Sequence, residues 1–112
     1  MANSVRQLVR QIQVEVRDTD LQPDRAAELL TRLTALLGNI SDEIREADAA
    51  YAVTLLAILE SEEAANRAKI RAETTPEYQR KREARDLKEL AVELIRSLKY
   101  WLRVKAEEMR LS

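Results

Sequence analysis

The chain has 112 residues, a formal net charge of −1 and 35% charged residues, where about a quarter is usual. It contains one Gly, two Pro, 4% aromatic residues and neither Cys nor His. That composition excludes Ser-His and Cys-His nucleophile pairs, zinc fingers, redox dithiols and disulfides, and one glycine cannot build a phosphate loop or a dinucleotide fingerprint. Strong helix formers dominate what remains, so the expected fold is all-α.

In chain order, Ser4 with Gln7 three residues on reads as a capping box. Val5, Leu8, Val9, Ile12 and Val16 follow at helical spacing, giving a first helix over 4–17. Ile12, Val14 and Val16 also alternate like a strand, but a lone strand would have no partner, so helix is preferred. Pro23 suits the first position of a second helix, 23–37, whose apolar stripe runs through Ala26, Leu29, Leu30, Leu33, Leu36 and Leu37. Gly38 directly after it suits a left-handed C-terminal cap. Ser41 then caps a third helix, 42–72, in which Ile44, Tyr51, Leu55, Ile58 and Leu59 supply bulk. Nine alanines lie between Ala47 and Ala72, where a neighbouring helix could approach closely. Thr75, Pro76 and Glu77 are cap, first-position proline and first-turn acid of a fourth helix, 76–110.

These elements predict one domain, 1–112, built as an antiparallel hairpin of two long helices braced by two shorter ones. So small a chain, spread along long helices, leaves apolar surface exposed, which predicts a homo-oligomer. No apolar run approaches the roughly 18 residues of a membrane span, and the N-terminus lacks a signal-peptide layout. The expected location is cytoplasmic, with no membrane partner.

Charge is unevenly spread: residues 1–65 carry a net −6 and residues 66–112 a net +5. On the fourth helix Lys81, Arg85, Lys88, Arg96, Lys99, Arg103 and Arg110 step by threes and fours along one stripe, interrupted only by Val92 and Ala106. Such a stripe can track phosphates, and Arg67, Lys69, Arg71, Arg80 and Arg82 extend it. Tyr100 and Trp101 lie beside Lys99 and Arg103, where a ring could stack on a base, although Trp101 also fits the apolar face. The competing reading is a solvated helix face neutralised by Glu89, Glu93, Glu107 and Glu108.

A second constellation is acidic. Glu60-x-x-Glu63 and Glu83-x-x-Asp86 resemble the signature of MazG-type nucleotide pyrophosphohydrolases. That resemblance implies Mg²⁺ held by Glu60, Glu63, Glu83 and Asp86 and a nucleoside triphosphate substrate. Against it stand Arg82 and Arg85, which could pair with the same acids in a salt-bridge ladder. A third reading is an oligomeric nucleotide-sequestering protein, with Tyr51 or Tyr100 stacking on the ligand. Residues 42–112 also resemble in style the small helical-hairpin accessory proteins of bacteriophages. The reading preferred from the sequence is a non-enzymatic helical binding or assembly protein, cofactor-free. It would present its basic face to a protein or nucleic acid.

Overall fold

The computed structural model describes residues 2–61 and 64–111. Among them are four helices and no strand: α1 (Ala2–Asp18), α2 (Pro23–Ser61), α3 (Ala65–Ala72) and α4 (Pro76–Leu111). The start of α4 follows directly from its sequence. The Thr75 hydroxyl accepts the Tyr78 backbone N–H at 3.3 Å, and the Thr75 carbonyl accepts from the Gln79 N–H at 3.2 Å. Pro76, which has no N–H to lose, opens the helix. Pro23 opens α2 in the same way, with the Gln22 carbonyl accepting from Ala26.

Three boundaries differ from expectation by more than one residue. Helix α1 begins at Ala2, so Ser4 lies inside it and caps nothing. The expected helices 23–37 and 42–72 are redivided: α2 runs unbroken through Gly38 and Ser41 to Ser61. Gly38 has no positive φ and is an ordinary helical residue. The reason lies in phase. Ala26, Leu33, Ile40 and Ala47 are all buried and step by seven, so the apolar stripe crosses residues 38–41 without a shift. The break falls later instead, at Ala64, whose extended backbone (φ −105, ψ 123) precedes α3. Helix α3 ends with successive turns in which the Glu73, Thr74 and Thr75 N–H groups bond back to Lys69, Arg71 and Ala72.

The chain forms two compact units, the first Met1–Ile40 with Leu87–Ser112 and the second Ser41–Asp86. Val9, Leu29, Leu33, Ile40 and Leu98, the largest fully buried side chains among the described residues, all belong to the first. In the second, the buried residues among those described are Ala47, Tyr51, Ala68, Ala72 and Ala84. No helix is long and apolar enough to cross a membrane among the described residues.

Candidate nucleic-acid interface

The basic stripe of α4 does not behave as one surface. Its first two members are used inside the second unit. The Lys81 ammonium sits 4.6 Å from the centre of the Tyr51 ring. Arg85 donates to Asp48 Oδ2 at 2.7 Å, while Asp48 Oδ1 is buried without a hydrogen-bond partner among the described residues. Arg80, which the sequence adds to the same patch, grips both oxygens of Glu43 at 2.9 and 2.7 Å and also reaches Glu46. The guanidinium beside it holds the Glu43 carboxyl below the usual carboxylate range, despite partial burial. These cations serve packing, and each meets an acid or a ring face.

The later members stay open. Lys88, Arg96, Lys99, Arg103 and Arg110 are all exposed. Arg96 pairs with Glu93 at 2.9 Å and Arg110 with Glu107 at 2.8 Å, both within α4 and both facing solvent. Lys99 and Arg103 have no carboxylate at ion-pair distance among the described residues. Arg96, Lys99 and Arg103 share one face and rise about 10 Å along the axis. Between them stands Tyr100, 66% exposed. The neighbouring Trp101 is half-buried, with Lys105 5.6 Å from its ring. The two adjacent aromatics thus divide: Trp101 turns towards the apolar side, Tyr100 towards water. Arg67, Lys69 and Arg71 on α3 and Arg82 on α4 are also exposed.

The acidic constellation is not assembled among the described residues. Glu63 lies outside them. Glu60, Glu83 and Asp86 are exposed, and Glu83 accepts from Gln79 at 3.2 Å. No group of three or more carboxylates that could hold a metal ion occurs among the described residues. Tyr51, considered above as a stacking group for a nucleotide, is buried. Its ring lies 5.4 Å from that of Tyr78, and burial pushes its phenol pKa up.

Sequence reasoning missed one feature of the first unit: a groove of about 430 Å³ lined by Leu8, Ile12, Leu29 and Leu36, with Arg25 and Glu15 among its polar residues. Arg25 donates to both Glu15 oxygens and so lowers the Glu15 pKa. That pair neutralises two of the groove's charged side chains, and the third, Arg32, pairs with Glu28. The signal was present in Leu8 and Leu36, apolar positions beyond those the core seals.

No family model, no curated protein and no solved structure matches the chain.

Proposed function

We propose that the protein is a non-enzymatic binding protein that presents the Arg96–Lys99–Arg103 face of α4 to the phosphate backbone of a nucleic acid. The observation that carries this reading is the pair Lys99 and Arg103, both exposed and neither facing a carboxylate at ion-pair distance among the described residues. Cations recurring every three or four residues repeat at roughly 4 to 6 Å along a helix. A regular polyanion suits that repeat better than the irregular acids of a protein surface. The Arg96–Glu93 pair does not stand in the way, because an exposed pair of this kind contributes only about 0.2–1 kcal/mol and exchanges readily for a phosphate.

Under this reading the protein works in the cytoplasm as an accessory or assembly factor of the phage type, and as an oligomer. The hairpin packing of its long helices belongs to the same proposal. Support for self-association comes from α2, where Val53, Leu56 and Leu59 are 70%, 58% and 39% exposed. With Ala49 and Ala52 they make an uncharged face that water covers at a cost.

The test is electrophoretic retardation and its salt dependence. Binding should weaken with a log–log slope of about −0.7 to −0.9 per phosphate neutralised. Replacing Arg96, Lys99 and Arg103 together by Gln should flatten that slope by roughly two to three units while leaving helicity intact. A protein that retards neither single- nor double-stranded DNA or RNA at ~50 mM salt overturns the reading.

A further inference from the structure

Resting on that reading, we infer that the nucleic acid is single-stranded and that Tyr100 is the platform on which one of its bases stacks. A tyrosine ring left two-thirds in water gains little from folding, and α4 has an apolar side on which Trp101, one residue on, is half-buried. Tyr100 sits instead among Arg96, Lys99 and Arg103, at i−4, i−1 and i+3 of the same helix. On a regular helix Arg96 and Arg103 are the same-face neighbours of Tyr100, one turn before it and one after, with Lys99 a quarter-turn round; all three are exposed. An aromatic face with cations on either side has the composition of a single-strand site, in which phosphates meet the cations while an unstacked base meets the ring.

A duplex does not suit this arrangement. Its base faces are already covered by their neighbours in the stack, so a ring at the protein surface would meet sugar, phosphate and base edges but no base face. Reaching a base face would require unstacking a step, which is energetically costly. Any base can stack on tyrosine, so the site should tolerate many sequences. The contact is a noncovalent one, and Tyr100 needs its ring here, with no role for its hydroxyl.

The experiment measures binding of the full chain to three labelled probes at ~50 mM salt: a 20-nucleotide oligothymidine, a 20-nucleotide oligouridine and a 20-base-pair duplex. The single strands should bind more tightly than the duplex. Tyr100→Leu should weaken single-strand binding by about 5- to 150-fold, the usual effect of removing one base-stacking ring, and leave duplex binding unchanged. Tyr100→Phe should retain the affinity. Far-UV circular dichroism of both variants should match the parent, since the ring is exposed. The inference is overturned if the duplex binds as tightly as the single strands, or if Tyr100→Leu leaves single-strand affinity unchanged. If in either case the triple Gln variant still loses binding, only the stacking inference falls and the basic face stands. If no probe binds, the proposed function itself is refuted.

Discussion

The unit formed by Met1–Ile40 and Leu87–Ser112 seals whole aliphatic side chains from water, among them Leu29 and Leu33 at 0% exposure and Leu98 at 1%. The unit Ser41–Asp86 buries four alanines and a tyrosine among the described residues. Each alanine brings little apolar area, so its contribution at about 25 cal/mol per Å² is small. Around those alanines the second unit gathers polar contacts instead: Arg80 with Glu43, Arg85 with Asp48, and Lys81 over Tyr51. Helices α2 and α4 run through both units, α1 belongs to the first alone and α3 to the second alone, and along the shared helices the difference is one of side-chain size and charge. One pair of long helices is thus stabilised in two different ways. The first unit is stabilised mainly by hydrophobic burial and leaves the cations of its part of α4 open, whereas the second uses Arg80, Lys81 and Arg85 in contacts that hold it together.

The largest expected effect tests the aliphatic core. Leu33→Ala should cost about 2–5 kcal/mol, the range for emptying a fully buried leucine site. The cost is read as a fall in the urea midpoint at constant slope. That is a large share of a typical total of about 5–15 kcal/mol. A loss below ~1 kcal/mol would mean the first unit does not depend on burial as described.

Next comes the alanine-packed unit, which should fail in the opposite direction. Ala68 and Ala72 are fully buried in α3, so the neighbouring surface lies against their methyl groups. Ala68→Leu should therefore destabilise by about 1–3 kcal/mol through overpacking. Amide hydrogen exchange should show the loss of protection concentrated in residues 41–86. A stabilised Ala68→Leu would show that the site had room, and that alanine there reflects no close approach.

The third test uses pH. Glu43 has a carboxyl pKa lowered by its hydrogen bonds from Arg80, so the folded state binds that proton less readily than the unfolded chain. A lowered pKa contributes stability that is fully present above the ordinary glutamate value of about 4.3 and lost as pH falls through the lower folded value. Stability should thus decline below about pH 4.3, and Glu43→Gln should remove part of that decline. Arg80→Gln should cost about 1 kcal/mol at neutral pH, between an exposed pair and a well-made charge-assisted hydrogen bond, since Arg80 is partly solvated. Glu15, lowered in the same sense by Arg25, is the control from the first unit: its pH signature should match in sign.

Some of this architecture could be read directly from residues. Thr75-Pro76-Glu77 marks a helix start because each residue satisfies a local backbone requirement, and the structure places the start of α4 at Pro76. The end of α2 was not legible. Its last turn carries no basic residue, and neither Gly nor Pro lies near Ser61, so the ordinary terminators are silent there. The basic stripe was legible as a spacing, but which cations stay open was not. Arg80 and Arg85 find acids 37 positions away, and helical periodicity within α4 carries no information about such partners. Tyr100 and Trp101 were separable by phase, because only Trp101 continues the buried Leu94 and Leu98 stripe.

The smallest expected effect concerns the residue that misleads most. As a C-terminal cap, Gly38 would adopt a left-handed backbone, and an alanine there would be strained. As an interior helical residue it only wastes conformational entropy, and alanine should be better by about 0.5–1 kcal/mol. The two structures therefore predict opposite signs for one substitution. No glycine has a positive φ, and a Cβ built on Gly38 meets nothing within 4 Å, so no steric penalty offsets the gain. Gly38→Ala should raise the urea midpoint with an unchanged slope. A lowered midpoint would mean that a helix ends at residue 38. The comparison would then lose its basis, because it needs α2 as one helix supplying residues 23–40 to the aliphatic unit and 41–61 to the alanine-packed one.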